Sequence, residues 1–539
     1  MSRAIKLLSA AKTGDEAELG ALIERGVSIE SKNPQGGSTA LIIAAGKGHT
    51  DCVRMLLNGG ANKDARNDDG DTALMHAAAH GRTECVRFLM DSGADQEVKN
   101  DNGATALMCA AQYGHSDCVR LMMERGVDLD SLNRNRTTAL VIAAGNGHTD
   151  CVRMLVDGGA DMEVKSVDGV TALFCSAGNG HTDCARLLLD AGASKNTQSD
   201  SGMTALLQAA VKGRTGVVQI MVDGGADTEV KDKSGFTALM VAAASGHVDC
   251  VRLLLNGSAD KEAKNIDGLT SLMLASQNGH ADCVRLLLDY NANKDATDRI
   301  GATALIWAAQ NGHTDCARLL LDGGADMDAR DVDGATALFG AAGQGHIDCV
   351  RLLMVRGADN GIKDNEGCTA QDWAENSNKI PVAFLISTFT DFALMDPRGR
   401  ARFMGRSCHH CFNTRPKMVK CALCQTARYC SKDCQQANWP LHKALCDRSG
   451  ASHSPTISQP LDSKCSADLS SSQVPQHSGM LANGPASGLD VCHFCTKSQA
   501  QLADKLKRCD RCRRASYCSV QCQRSDWDAH KRTEIAPSP

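Results

Sequence analysis

Hydrophobic and polar positions repeat along the first part of the chain with a period of 33 residues. In the unit around Thr303, two short apolar segments, ALIWAA and DCARLLLD, are separated by a GH turn and followed by a GGAD turn. The other residues of the unit are polar and rich in Gly and Asp, which fits a hairpin. A fixed period of this length is typical of stacked supersecondary units. The pattern predicts helix, turn, helix and hairpin in each unit, and such a stack is a binding surface rather than an active site.

One threonine sets the register of the pattern. It recurs at Thr39, Thr72, Thr105, Thr138, Thr171, Thr204, Thr237, Thr270, Thr303, Thr336 and Thr369. Its hydroxyl can cap the first helix of each unit. The Gly after the second apolar segment suits the left-handed conformation that ends a helix. We therefore expect a helix to begin after each threonine.

A unit of 33 residues with this order of elements resembles the ankyrin repeat. The resemblance covers roughly residues 1–395 and implies a mainly α-helical solenoid. We divide it into a degenerate N-terminal unit without a hairpin (1–33), ten full repeats (34–364) and a C-terminal half-repeat (365–395). Two small zinc-stabilised fingers are expected to follow.

Three substitutions depart from the pattern. Arg136 replaces the hairpin Gly, and we expect that hairpin to be distorted because residues other than Gly rarely tolerate a positive φ. Ser258 and Asn291 replace the helix-ending Gly, where Asn is the better tolerated.

The net charge of −5 hides an asymmetry between the two ends of the chain. Residues 1–395 carry 36 basic and 52 acidic residues, a balance of −16, whereas residues 396–539 carry 22 and 11, a balance of +11. An acidic stack is a poor general surface for nucleic acid and suits basic partners. A simpler interpretation is that the charge keeps a long solenoid soluble.

We find neither a signal-peptide pattern nor a run of 18 apolar residues, so we expect no membrane association. The 26 cysteines therefore indicate a reducing, intracellular compartment, the cytoplasm, the nucleus or both, rather than a disulfide framework.

Nine cysteines and eight histidines follow the period of the stack. Equivalent positions in neighbouring repeats lie about 8–10 Å apart, which is too far for a disulfide. We interpret the cysteines as small buried hydrophobic residues and the histidines as turn residues of the repeat. They are Cys52, Cys85, Cys118, Cys151, Cys184, Cys250, Cys283, Cys316 and Cys349, and His49, His115, His148, His181, His247, His280, His313 and His346.

A first cluster of paired ligands occupies residues 408–446. It consists of Cys408, Cys411, Cys421, Cys424, Cys430, Cys434, His442 and Cys446. Eight thiolate or imidazole ligands make two tetrahedral zinc sites, and closed sites with four protein ligands are structural. The segment RYCSKDCQQANWPLHKALC resembles the MYND-type zinc finger. The resemblance implies interleaved ligation, with the first and third pairs on one zinc ion and the second and fourth pairs on the other.

A second cluster, in residues 491–534, repeats this pattern but lacks its last cysteine. Its ligands are Cys492, Cys495, Cys509, Cys512, Cys518, Cys522 and His530. Glu534 occupies the place of the missing ligand and can supply an oxygen, since zinc accepts carboxylates. We expect two zinc ions in the first finger and one or two in the second.

The resemblance also implies that the fingers bind short proline-containing peptides through a Gln and a Trp. These residues map onto Gln435 and Trp439 in the first finger and onto Gln523 and Trp527 in the second. An aromatic wall suits a preformed polyproline ligand. The alternative for Trp439 is the core of a very small domain.

Two linkers are expected around the first finger. Residues 396–407 form a basic linker with Arg398, Arg400, Arg402 and Arg406, for which nuclear localisation or nucleic-acid contact is an alternative to a solvated charge run. Residues 447–490 are rich in Ser, Pro, Gly and Gln, which predicts a disordered linker.

Four residues that precede the periodic threonine form a candidate partner-binding strip. Val170, Met203, Phe236 and Leu269 are apolar in four consecutive repeats, and exposed apolar stripes mark interaction sites. The alternative is that these side chains pack along their own hairpins.

These features predict a non-enzymatic adaptor, monomeric, that binds proteins through the stack and peptide motifs through the fingers. We do not expect nucleic acid to be a partner. Two other classes remain as alternatives: a zinc-dependent ubiquitin-ligase-like or transcriptional co-regulator role, and a lysine methyltransferase, since MYND fingers also occur in such enzymes. We find no P-loop, GxSxG or HExxH motif and no segment long enough for a methyltransferase domain.

Overall fold

The structure is a computed structural model that describes residues 3–394 and four two-residue strands. The helices of residues 3–394 are α1 (Arg3–Thr13), α2 (Glu16–Glu24), α3 (Ala40–Lys47), α4 (Thr50–Asn58), α5 (Ala73–Ala79), α6 (Thr83–Asp91), α7 (Ala106–Tyr113), α8 (Ser116–Glu124), α9 (Ala139–Asn146), α10 (Thr149–Asp157), α11 (Ala172–Asn179), α12 (Thr182–Asp190), α13 (Ala205–Val211), α14 (Thr215–Asp223), α15 (Ala238–Ala244), α16 (Val248–Asn256), α17 (Ser271–Gln277), α18 (Ala281–Asp289), α19 (Ala304–Gln310), α20 (Thr314–Asp322), α21 (Ala337–Gln344), α22 (Ile347–Arg356), α23 (Ala370–Asn376) and α24 (Ile380–Leu394). None of them combines the length and apolar character needed to cross a membrane.

The periodic threonines cap the odd-numbered helices from α3 to α23, as the sequence predicts. At Thr39, for example, the hydroxyl oxygen accepts a hydrogen bond from the backbone N–H of Ile42. The exception in the stack is Thr336, whose buried hydroxyl has no hydrogen-bond partner. Such a cap stabilises a helix by about 1 kcal/mol, so the threonines fix where each repeat begins.

The helices form two rows along one solenoid. Each odd-numbered helix packs against the next odd-numbered helix, and each even-numbered helix packs against the next even-numbered one. We call these rows the inner and outer helices. The core between them runs along the stack and consists mainly of Ala, Leu and Met side chains from the inner helices and of Cys, Val and Leu side chains from the outer helices. The mainly α solenoid is thus confirmed.

The hairpins join neighbouring repeats through backbone hydrogen bonds. The N–H of Asp101 donates to the carbonyl oxygen of Asp69 at 3.0 Å, and the corresponding bond forms at each of the ten junctions from Gly36–Asp68 to Asp333–Asn365. The hairpin tips therefore form a continuous ladder along one edge of the stack.

The prediction of a distorted hairpin at Arg136 is wrong. Arg136 adopts a φ of 56°, in the region that the neighbouring hairpins reach with Gly. Its N–H donates to the Asn133 carbonyl oxygen at 2.9 Å, and the next junction forms a bond of 3.0 Å between the Val167 N–H and the Asn135 carbonyl oxygen. The turn keeps its shape because these bonds outweigh a cost of about 1–2 kcal/mol for the left-handed conformation. Ser258 and Asn291 also adopt positive φ values.

The C-terminal segment 365–395 is more complete than the predicted half-repeat. It contains both helices of a repeat, α23 and α24, and α24 is 15 residues long. The N-terminal unit likewise consists of the helix pair α1 and α2. The predicted linkers, 396–407 and 447–490, lie outside the described residues.

The strands form two matching ribbons. Strand β1 (Val419–Lys420) pairs antiparallel with β2 (Arg428–Tyr429), and β3 (Lys507–Arg508) pairs antiparallel with β4 (Ser516–Tyr517). The chain separates into two parts, Met1–Ala451 and Ser452–Pro539, and each contains one ribbon.

Candidate functional site

The predicted strip lies where each hairpin meets the next inner helix. The side chains of Val170, Met203, Phe236 and Leu269 are all half-buried. The hairpin fixes their backbone: the Phe236 N–H donates to Asp232 Oδ1 at 2.9 Å, and the Asp232 N–H donates to the Phe236 carbonyl oxygen at 3.0 Å. The backbone that carries each of these side chains is therefore held in a fixed position.

Part of the strip also contributes to packing. Phe236 and Leu269 pack against a small cluster of buried residues, Met240, Ala263 and Leu274. Met203 packs against the main core. The strip is thus partly accessible and partly used by the fold, and its role in partner binding stays a prediction.

An open groove of about 530 Å³ lies on the inner-helix face between α7 and α13, centred on α9 and α11. Its lining residues are uncharged: Gln112, Asn133, Thr137, Val141, Ile142, Gly145, Asn146, Val170, Phe174, Cys175, Gly178, Asn179 and Gln208. The lining thus combines apolar side chains with amides, and Val170 belongs to both the groove and the strip.

The groove depends on two glycines. Gly145 and Gly178 occupy the seventh position after the periodic threonine, where neighbouring repeats place Gln112 and Val211. The amide of Asn179 donates to the Gly145 carbonyl oxygen at 2.7 Å, which fixes the rim. Sequence reasoning missed this site, although two successive glycines in one column of the repeat are a visible signal.

The histidines of the GH turns connect neighbouring repeats. In seven of them Nε2–H donates to a carbonyl oxygen near the end of the preceding inner helix, at 3.0 to 3.2 Å; they are His49, His115, His148, His181, His247, His280 and His346. Arg82 and Arg214 make the corresponding bond through Nε. These side chains thus serve the repeat, in agreement with the sequence interpretation.

The periodic cysteines are buried, as expected. Burial raises the pKa of Cys151 to about 11 and that of Cys316 to about 12. Cys85 lies 3.4 Å from the Thr50 hydroxyl, and similar contacts occur at Cys118, Cys184, Cys250 and Cys349. Buried thiols with raised pKa values are weak nucleophiles, and the described part of the chain contains no group of three or more residues suited to a metal ion.

A row of acidic residues holds successive repeats together. Each accepts a hydrogen bond of 2.7 to 3.1 Å from a backbone N–H of the following repeat. The acceptors are Glu30, Asp64, Glu97, Asp130, Glu163, Asn196, Glu229, Glu262, Asp295 and Asp328, so one amide stands among nine carboxylates. Part of the acidic charge therefore has a structural role.

The two ribbons occupy the same place in the two cysteine clusters. Strands β1 and β3 end directly before Cys421 and Cys509, and β2 and β4 end directly before Cys430 and Cys518. The pairing of Val419 with Tyr429 corresponds to that of Lys507 with Tyr517. The second finger thus repeats the ribbon of the first. The zinc ligands and the predicted peptide-binding residues Gln435, Trp439, Gln523 and Trp527 lie outside the described residues.

Comparison with known families agrees with this architecture. The family model described as ankyrin repeats (three copies) matches overlapping segments from residue 7 to residue 364, more than half of the chain. The chain belongs to the ankyrin-repeat family. In this ankyrin-repeat protein the MYND finger model also matches twice, at residues 408–446 and 492–533. MYND fingers bind zinc, and both kinds of module serve protein interaction.

Similarity to curated proteins is short. N-lysine methyltransferase SMYD2-B of Danio rerio is 43% identical over 42 residues, which is 8% of this chain and 10% of the relative. SET domain and MYND-type zinc finger protein 6 of Schizosaccharomyces pombe is 46% identical over 41 residues, 8% of each chain. SET domain-containing protein 14 of Caenorhabditis elegans is 50% identical over 40 residues, 7% of this chain and 8% of the relative. The chain thus spans about a tenth of the length of these relatives, and the likeness is confined to the MYND region.

Proposed function

We propose that this protein is a non-enzymatic adaptor whose ankyrin stack binds a protein partner and whose MYND fingers bind short proline-containing peptides. The observation that carries the first half of the proposal is the uncharged groove around Gly145 and Gly178. The second half rests on the resemblance of both clusters to MYND fingers.

The chemistry of the groove suits an extended peptide segment of a partner. Its floor contains Val141, Ile142 and Phe174, which can receive an apolar side chain. Asn146 and Asn179 on the rim use their amide N–H groups for bonds within the stack, so their oxygens are oriented to accept hydrogen bonds from a peptide backbone. Because no lining residue is charged, we expect binding in the groove to depend weakly on salt.

The strip extends this surface along the stack. Val170 belongs to both the groove and the strip, and Met203, Phe236 and Leu269 continue it through three further repeats. A partner that places one residue in the groove can therefore extend over the adjoining repeats.

Filling the groove tests the first half of the proposal. In Gly145→Gln the new Cβ meets Cys175 Cβ at 3.6 Å, an ordinary contact, and Gln is the residue found at this position at Gln112. The matched control is Ala79→Gln, which adds the same side chain two repeats away. We expect proteins that crosslink to the wild-type stack to be lost with Gly145→Gln and retained with the control. Equal recovery with both variants contradicts the proposal.

The strip has its own test. Phe236→Asp and Leu269→Asp place a charge in an apolar surface, and we expect each to weaken the same crosslinks. If both variants keep every partner of the wild-type chain, the strip has no role in binding.

The fingers are tested with a Pro-x-Leu-x-Pro peptide. We expect Trp439→Ala to abolish peptide binding while the zinc content is retained, and Trp527→Ala to reduce it. Unchanged binding in both variants, at unchanged zinc content, contradicts a peptide groove built on these residues.

We further propose that the protein is monomeric and acts in the cytoplasm, the nucleus or both.

A further inference from the structure

The outer helices of the stack carry a repeated charge pair on their exposed face. Nine of the ten outer helices from α4 to α22 place an acidic residue three positions before an Arg, as at Asp51 and Arg54; α14 has Gly216 and Gln219 instead. The Arg54 and Asp51 side chains form an ion pair of 3.3 Å, and Arg351 and Asp348 form another of 3.3 Å. This face is therefore charged and suited to contact with water.

Helix α24 breaks this rule. It lies in the row of outer helices, and Pro381 and Phe384 follow Asp348 and Arg351 by one period of 33 residues. The charge pair is thus replaced by two apolar residues. Phe384 is 62% exposed and Ile380 is 59% exposed. The opposite side of α24 buries Val382, Ala383, Leu385 and Ile386, so this helix is apolar on both sides.

The preceding outer helix, α22, extends the apolar surface. Ile347 is 38% exposed and Val355 is 41% exposed. The preceding repeat places Thr314 and Asp322 at these two positions. Within residues 3–394, exposed large apolar side chains on outer helices occur in α22 and α24 alone. We call Ile347, Val355, Ile380, Pro381 and Phe384 the terminal patch.

A terminal repeat of a solenoid normally presents a polar outer face. The terminal patch has the opposite character, and large exposed apolar patches mark contact surfaces. The patch therefore needs an occupant.

We propose that the terminal patch is the docking site of the first MYND finger of the same chain. Thirteen residues, 395–407, separate Leu394 at the end of α24 from Cys408. Fully extended they span about 45 Å, whereas Phe384 lies about 15 Å back along the helix. The finger is thus tethered within easy reach of the patch, at a high effective concentration.

Charge favours the same occupant. The first finger contains one acidic residue, Asp433, and six basic residues, Arg415, Lys417, Lys420, Arg428, Lys432 and Lys443. Residues 335–394, which form the end of the stack, carry seven acidic and four basic residues, a balance of −3. A basic module on an apolar surface of an acidic region is electrostatically complementary. The docked finger gains a fixed place on the stack.

Trypsin cleavage of the full-length chain tests this docking. Arg398, Arg400, Arg402 and Arg406 in the tether are potential trypsin sites, and docking restricts access to them. Phe384→Gln removes the largest side chain of the patch and introduces the residue that α14 carries at this position. The control is Val332→Gln, because Val332 is 60% exposed on a hairpin tip. We expect cleavage in the tether to become several-fold faster with Phe384→Gln and to stay unchanged with Val332→Gln.

Removal of zinc completes the test. A chelator should unfold the finger and accelerate tether cleavage of the wild-type chain to the rate of Phe384→Gln, with little further effect on that variant. The proposal is overturned if Phe384→Gln cleaves at the wild-type rate or if chelation has the same effect on both chains. A second outcome also overturns the proposal: protection of the tether from trypsin increases with protein concentration, and the wild-type chain is a dimer that Phe384→Gln dissociates. In that case the patch is covered by a second copy of the chain.

Discussion

The carboxylate of Glu229 accepts a hydrogen bond of 2.9 Å from the backbone N–H of Asp260, one repeat further along the stack. The geometry recurs at each junction from Glu30 to Asp328, with Asn196 as the single neutral acceptor. An acceptor oxygen is therefore present at this place in every junction, from a longer Glu or a shorter Asp or Asn side chain, and a negative charge strengthens the bond.

Replacing this acceptor should loosen one junction. We expect Glu229→Ala to lower the free energy of unfolding by about 1 kcal/mol, since it removes a charge-assisted bond at a solvated site. Glu229→Gln retains the acceptor oxygen and should cost less, as Asn196 suggests. Urea unfolding followed by circular dichroism measures both. If Glu229→Ala and Glu229→Gln unfold alike, the bond contributes little.

The Arg136 hairpin contains strain that a glycine would relieve. We expect Arg136→Gly to raise the free energy of unfolding by about 1 kcal/mol, because Gly adopts a φ near 56° without a Cβ clash. Asn291→Gly serves as the control and should have a smaller effect, since Asn tolerates this conformation better. A destabilised Arg136→Gly chain would show instead that the Arg136 side chain contributes to the fold.

The buried thiols should make the stack sensitive to alkali. Burial raises the pKa of Cys109 and Cys316 to about 12 and that of Cys151 to about 11, whereas thiols of the unfolded chain ionise near 8.5. The unfolded chain therefore loses protons first as the pH rises. Stability should be intact below about pH 8.5 and fall steadily towards pH 12.

Unfolding midpoints in urea at pH 8 and pH 10.5 measure this decline. Cys316→Ala removes one such thiol and should give a smaller difference between the two midpoints. An identical difference in the wild type and in Cys316→Ala would mean that other groups, such as lysines, cause the alkaline loss.

Zinc content distinguishes the two fingers. Native mass spectrometry of the full-length chain should show two zinc ions from the first finger and one or two from the second. Glu534→Cys supplies the thiolate that the second finger lacks. If the wild-type chain binds three zinc ions, this variant should bind four. A wild-type content of four that falls with Glu534→Ala would identify Glu534 as a ligand. A chain without zinc would contradict the finger assignment.

The elements of the stack could be predicted from the sequence because local chemistry determines them. Thr303 caps a helix through its own hydroxyl, and Cys316 is buried because its helix has one apolar side. Arg136 was judged from its steric preference alone. The hydrogen bonds of its neighbour Asn133, whose side chain accepts from the N–H groups of Asn135 and Thr137, hold that turn and can be assigned only when the folded hairpin is known.

The groove and the terminal patch were missed for a different reason. To find either of them, one must know which positions of the repeat face outward. One must then compare the side chains at those positions between neighbouring repeats. Gly145 matters because Gly178 follows it at the same position, and Phe384 matters because Arg351 precedes it by one period. A single repeat contains neither signal.

Every junction in the stack joins a repeat to its immediate neighbours, through the hairpin ladder, the acidic acceptors and the packing of successive helices. No long-distance closure, such as that of a barrel, constrains how many repeats there are. The number of repeats is consequently free to change by whole periods, since the removal of one period joins two surfaces of the same kind. The length of the stack, and with it the separation between its groove and its terminal patch, can thus be altered without redesigning its core.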